Sequence, residues 1–212
     1  MGKAEALRVA LDAVVGAVLA PCCVGCARTL DTPLAGAVCA ACCDDVMRSR
    51  GHFDGALRNL IHAFKYEGRR TLGPLLGAVM REGAGHTLDC ASCAIPVPLH
   101  PWRRFTRGFN QAADLAAHLR LPVVHALWRI HATAPQAGLS AMERRRNVRG
   151  AFMLSPLLSQ HRRRLLIEGR IVVLVDDIRT TGATLTACRG LLETAGAAEV
   201  RTLTLAQAPL RN

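Results

Sequence analysis

Residues Ile171 to Val175 form an unbroken run of isoleucine, valine and leucine that ends on two adjacent acids, Asp176 and Asp177. Such a run has no polar face to turn towards water, so it predicts a strand covered on both sides. Strand and helix patterns alternate along the rest of the chain. That order implies a parallel, doubly wound sheet, an α/β fold. Open sheets of this kind place their ligands at the carboxyl ends of the strands, where Asp176 and Asp177 stand.

The text continues Ile178-Arg-Thr-Thr-Gly-Ala-Thr184 and then turns helical through Thr194. Thr180, Thr181 and Thr184 offer hydroxyl donors, and Gly182 lets the backbone come close to a ligand. With Ala183 the helix begins, presenting free N–H groups to an anion. Carboxylates repel phosphate, so Asp176 and Asp177 must serve another group, and ribose hydroxyls fit. The competing reading, an acid pair that caps the helix beside ordinary turn threonines, does not account for the whole order of strand, acids, threonine loop and helix. The segment therefore predicts a site for a phosphorylated ribose.

Six of the nine cysteines lie between Cys22 and Cys43. In a cytosolic chain such clustering points to metal rather than disulfides. Cys23-x-x-Cys26 and Cys39-x-x-Cys42 can each form a knuckle, together offering four thiolates to one tetrahedral Zn²⁺. Spacing leaves Cys22 and Cys43 open as alternates. A short zinc ribbon with almost no core is expected, with the metal supplying its folding energy. Cys90 and Cys93 read as incidental or buried thiols, and Cys188 as core.

Upstream, Leu7, Leu11, Val14, Val15, Val18 and Leu19 recur at helical spacing before Pro21. They predict an amphipathic helix packed on the body rather than a signal peptide, and hence a cytoplasmic protein. No apolar run is long enough to span a bilayer. Helices are expected over Asp54–Tyr66 and about Leu72–Arg81, and a short buried strand over Ala94–Pro98. An arginine-rich loop, Pro101–Asn110, should lead to a helix reaching about Arg120. Further extended stretches fall within Leu121–Arg129, Ala151–Leu154 and Val200–Leu205, with a polar segment, His131–Gly150, between the first two. The formal charge of +11 comes almost wholly from arginine, since lysine occurs only at Lys3 and Lys65. Arginine suits bidentate phosphate contacts, and a phosphate-rich or nucleic-acid partner is compatible with it.

Ile171 to Thr184 resembles the phosphoribosyl diphosphate signature of the type I phosphoribosyltransferases. Ile95-Pro-Val-Pro-Leu-His-Pro101, Arg107-Gly-Phe-Asn-Gln111, Gln136-Ala-Gly-Leu139, Glu143-Arg-Arg-Arg-Asn147 and Gly150-Ala-Phe152 narrow the match. Together with the paired cysteines and the Lys65-Tyr66-x-Gly68 turn, they resemble the ComF family, linked to competence and DNA uptake or use. The resemblance implies a type I phosphoribosyltransferase-like twisted sheet flanked by helices over residues 51–212. A small N-terminal helix and zinc-ribbon module would occupy residues 1–50. It implies that Asp176 and Asp177 hold the ribose hydroxyls and Thr180, Thr181, Gly182, Ala183 and Thr184 the 5′-phosphate. Arg103, Arg104 and Arg107 would face the diphosphate, and Arg144, Arg145 and Arg146 would close over it from a loop. The implied donor is 5-phosphoribosyl diphosphate with Mg²⁺, and the implied reaction is displacement of pyrophosphate at the anomeric carbon. Two other readings compete: a non-catalytic sensor of the sugar diphosphate, and a single-stranded-DNA-binding protein working with competence-machinery proteins. An oligomer is compatible with all three.

Overall fold

The computed structural model of the protein describes residues 3–49, 51–99, 101–130 and 150–208. Its centre is a parallel sheet in the order β1 (Cys93–Pro96), β4 (Ile171–Arg179), β5 (Glu199–Gln207). Val172 to Val175 are wholly buried, as the unbroken apolar run predicts. Their side chains alternate between two cores. Val173 and Val175 point to one side, with α3 (Gly55–Tyr66), α4 (Gly73–Glu82) and α6 (Gln111–Ala116). Val172 and Leu174 point to the other, with Ile167, just after α7 (Gln160–Leu166), and with Leu185, Cys188 and Leu192 of α8 (Ala183–Thr194). The period-2 geometry of a strand thus makes β4 the partition between both layers.

Three expectations change. The stretches at Leu121–Arg129 and Ala151–Leu154 do not both extend the parallel sheet. Val123 makes one parallel bridge to Ala94, but β2 (Leu127–Arg129) and β3 (Phe152–Leu154) pair with each other, antiparallel, as a separate two-stranded unit. Arg129 opposite Phe152 and Leu127 opposite Leu154 set the register. The arginine-rich stretch is not a loop throughout, because Pro101–Arg107 is helical (α5). Proline fits the first turn of a helix, where no N–H is required. Finally, α1 (Lys3–Leu19) forms but does not bury its apolar residues, and Leu7, Leu11, Val14, Val18 and Leu19 stay exposed. What holds it is polar: the buried Asp12 accepts the Leu34 N–H at 2.8 Å, tying α1 to the turn at Pro33–Ala35.

The cysteine segment also departs from a coreless ribbon. Cys22 and Thr29 form a bridge around the first knuckle, while the second pair leads into a helix, α2 (Ala40–Arg48), whose first turn carries Cys42. Leu30 and Val46 are buried and join the same core as α3 and α4, so the knuckles rest on the sheet's helical layer.

The helices over that layer approach closely at Gly77 of α4. A Cβ there would lie 2.4 Å from the Cβ of His118, in the turn after α6, so only hydrogen fits. This contact fixes the height of α6, whose first residue, Gln111, reaches the site.

Candidate functional site

β4 carries its acids just past its buried core, and the chain turns there into α8. Gly182 makes the turn in the left-handed region (φ +74°), a conformation that side chains disfavour. Around this turn lies a cavity of about 260 Å³. Asp176, Asp177, Thr180, Gly182 and Thr184 line it from one side. Thr181 and Ala183 belong to the same turn but lie off its wall; Ala183 N–H donates to Thr181 Oγ1 at 3.5 Å. Val97, Pro98 and Leu99 after β1 form another wall. Asn110 anchors it by donating from Nδ2 to Val97 O at 3.1 Å, while its Oδ1 caps α6 by accepting the Ala112 N–H.

The predicted arginines separate. Arg107 lines the cavity, with its guanidinium 5.1 Å above the centre of the Tyr66 ring and Nη1 donating to Gln111 Oε1 at 3.3 Å. Arg104 lines a neighbouring cavity of about 300 Å³ with His125, Trp128 and Ser155, sharing Pro98, Leu99, Asn110 and Arg129 with the first. Arg103 lies in α5, and its side chain is outside the described residues, as are Arg144, Arg145 and Arg146.

Lys65, Tyr66, Asn110, Gln111 and Arg129 also line the cavity, although their types and spacing assigned them no role. Lys65 Nζ pairs with Asp177 Oδ2 at 2.9 Å, both side chains being mostly buried. Arg129 is buried on β2, its guanidinium 5.3 Å from the Phe152 ring centre. The available signal was that Lys65 is the one lysine beyond the N-terminus in an arginine-rich chain.

Two acids side by side in this wall cannot both ionise freely. Burial, and then the charge of Asp177, push the Asp176 carboxyl up to about 7; the Asp177 N–H, Lys65 and Arg129 oppose the shift. Asp177 is instead held by Lys65 and by the Ile178 N–H, which donates to its Oδ1 at 2.6 Å. A partly buried acid beside a paired acid gives the site one carboxyl that changes charge near neutral pH.

The four cysteines Cys23, Cys26, Cys39 and Cys42 bring their sulfurs within 4.8 Å of one another, leaving Cys22 and Cys43 outside the cluster. They are positioned to chelate a metal ion. Cys23 Sγ accepts the backbone N–H groups of Gly25 and Cys39, each at 3.3 Å. Burial opposes ionisation of Cys23, but N–H donors from Cys39, Cys26 and Gly25 prevail and bring its thiol down to about 6. Cys42 moves the other way, through burial and the crowding of the other three sulfurs. Four mutually close sulfurs are the donor set that a metal ion would complete. Gly25 is part of the fit, because a Cβ there would stand 2.8 Å from Cys42 Sγ.

Sequence comparison decides the family. The phosphoribosyl transferase domain family matches residues 106–211. Competence protein F of Haemophilus influenzae is 36% identical over 174 residues, covering 77% of this chain and 73% of that protein. The chain belongs to the ComF family. DNA utilization protein YhgH of Escherichia coli K12 is 34% identical over 156 residues, covering 68% of this chain and 64% of that protein, a little under two thirds of its length. Competence protein ComFC of Bacillus subtilis is 38% identical over 112 residues, covering 52% of this chain and 42% of that protein. This ComF chain thus combines a phosphoribosyltransferase domain of α/β fold with an N-terminal cysteine cluster. No helix among its described residues is long and apolar enough to cross a membrane.

Two outcomes are expected. Between the ordinary aspartate value and about 7, folded protein holds a proton on Asp176 that unfolded chain has lost, so stability falls as pH rises through that window. Asp176→Asn should therefore stabilise the protein at pH 8, by about 2 kcal/mol or roughly 5 °C, and the gain should shrink as pH is lowered from 7 towards 4. Melting curves across pH check this; a gain independent of pH would contradict a proton-holding Asp176. Elemental analysis should find one metal ion per chain, lost in Cys39→Ser with a lowered melting temperature. Metal-free protein melting unchanged would refute a structural metal.

Proposed function

We propose that this ComF protein is a phosphoribosyltransferase that uses 5-phosphoribosyl diphosphate as donor. What supports the reading is one arrangement: an acid pair, a glycine-turned threonine loop and an arginine around a single cavity at the end of the central strand. The carboxylates accept hydrogen bonds from the ribose 2′- and 3′-hydroxyls, with Asp177 oriented by Lys65. Thr180, Thr184 and the backbone about Gly182 bind the 5′-phosphate, with Thr181 and Ala183 shaping the turn. Diphosphate lies towards Leu99 and Arg107, with Arg103 and Arg104 on the same helix and Arg144, Arg145 and Arg146 as the closing arginines.

The reaction is displacement at the anomeric carbon. A nitrogen nucleophile of the acceptor donates its electron pair to C1 as the C1–O bond breaks. That bond's electrons leave with pyrophosphate, and the nitrogen's proton passes to solvent. Negative charge grows on the departing diphosphate, so fixed guanidinium groups stabilise the transition state more than the ground state. Mg²⁺ supplies a hard cation for the diphosphate oxygens. Residues 1–50 form the metal-binding module, with Zn²⁺ held by Cys23, Cys26, Cys39 and Cys42 as four thiolates suit it. Residues 51–212 form the transferase domain. By the relatives' names, the proposed setting is competence and DNA utilisation.

Calorimetry with the Mg²⁺ complex of 5-phosphoribosyl diphosphate, followed by a pyrophosphate-release assay over a panel of nitrogen acceptors, tests the reading. Binding is expected, with release for at least one acceptor. Asp177→Asn should weaken donor binding by about tenfold or more, the loss of a charged hydrogen-bond acceptor. Tight binding without release across the panel would favour a sensor, and no binding would overturn the donor assignment.

A further inference from the structure

The second cavity, of about 300 Å³, has no role in the donor reading. It shares Pro98, Leu99, Asn110 and Arg129 with the first, but neither acid of the pair and no residue of the threonine turn lines it. The loop after β1 is thus common to two cavities with different chemistry. The remaining walls of the second include Leu127 and Trp128 of β2, and Ser155 and Leu157, which follow β3.

Two kinds of side chain meet there. Pro96 and Leu127 are buried, whereas Trp128 is 39% and Leu157 82% exposed, so an apolar lining runs from the core out to the surface. Arg104 of α5, His125 and Arg129 supply cationic or protonatable groups, and none of the cavity's lining residues is an acid. Arg162 of α7 adds its field. Desolvation, and then the charges of Arg104 and Arg162, hold the His125 imidazole below its ordinary value. Like charges gathered in one cleft attract an anion, which relieves their repulsion. Ser155 contributes a neutral donor: its Oγ accepts the Leu157 N–H at 3.3 Å and keeps its own proton to give.

Charge and apolar surface together select the ligand. Two guanidinium groups, an imidazole able to take up a proton and a hydroxyl match a doubly charged phosphate better than a carboxylate, which a single guanidinium satisfies. A bare ion would leave Leu127, Trp128 and Leu157 uncovered, and a flat ring would cover them. The volume lies at the small end of ligand pockets, which suits one phosphate with a small ring system.

We propose that this cavity is a second ligand site, separate from the donor cavity, and that it takes a small phosphate monoester bearing an aromatic or similarly flat apolar group. The phosphate meets Arg104, His125, Arg129 and Ser155, and the ring lies against Trp128 and Leu157. The site is filled whether or not a ligand occupies the acids and the threonine turn. His125 gains a proton as the phosphate arrives, so binding takes up protons from neutral solution.

Phenyl phosphate is the probe. The chain has two tryptophans, so Trp102→Phe leaves Trp128 as the sole one, and its fluorescence reports the cavity. In full-length, metal-loaded Trp102→Phe protein at about pH 7.5, phenyl phosphate should change this emission saturably. Phenol and inorganic phosphate should each bind roughly tenfold or more weakly, since one lacks the charge and the other the ring. Calorimetry in buffers of different ionisation enthalpy should show proton uptake that is lost in His125→Gln. Leu157→Glu sets an acid at the exposed rim, away from the core, and should weaken the probe by about tenfold with the melting temperature unchanged. Saturating Mg²⁺ and 5-phosphoribosyl diphosphate should leave the probe bound. No saturable response, or inorganic phosphate bound as tightly as the probe, overturns the proposal. Direct competition between probe and sugar diphosphate overturns it as well, because the second cavity would then belong to the donor's site. A sugar diphosphate that fails to bind overturns the donor reading alone.

Discussion

Burial of β4 on both faces is the constraint from which the site follows. Four consecutive side chains, Val172 to Val175, divide between two cores, so the strand cannot slip by one residue without exchanging the contents of both layers. Its register against β1 and β5 is thereby fixed, pairing Val175 with Pro96 and Leu203 and carrying Asp176 to the rim of the sheet. The acids do not stabilise this arrangement. They stand at the cavity because the strand beneath them is held, and Asp176 bears the expense as a carboxyl raised to about 7.

A second constraint runs through α3. At one end the helix receives the cysteine knuckles: Asn59 donates to Gly25 O at 2.8 Å, and a Cβ on Gly25 would press on Ala56 as well as on Cys42. At the other end it delivers Lys65 to Asp177 and Tyr66 to the cavity mouth. Leu57, Leu60, Ile61 and Phe64, all buried, lock the helix to the sheet between those ends. The cysteine cluster and the cavity at the end of β4 are thus braced by one rigid element.

What was legible in the sequence was what local chemistry dictates. The apolar run, the acids at its end and the Thr-Thr-Gly turn lie within fourteen consecutive residues, and their order alone constrains their geometry. The paired cysteines are legible for the same reason, and the quartet that converges is the one that x-x spacing selects. Lys65, Gln111 and Arg129 were not legible, because each reaches the cavity from an element far away in sequence. Nothing near Lys65 indicates that its partner is Asp177. The β2–β3 pairing was hidden because three-residue strands carry too little pattern to reveal their neighbours. The exposed face of α1 shows a further limit, since helical spacing of Leu7, Leu11, Val14 and Val18 specifies a helix but not what covers it.

In the proposed reading, the acid pair at the end of β4 reads a ribose while the turn at Gly182 reads its phosphate. A crystal structure of the protein with Mg²⁺ and 5-phosphoribosyl diphosphate measures this directly, through the distances from the ribose hydroxyl oxygens to Asp176 and Asp177. The expected result is both hydroxyls within about 3 Å of those carboxylates, hydrogen-bond range, with the 5′-phosphate against Thr180 to Thr184. A sugar bound elsewhere, or lying in the cavity with its hydroxyls turned away from both acids, would contradict the account.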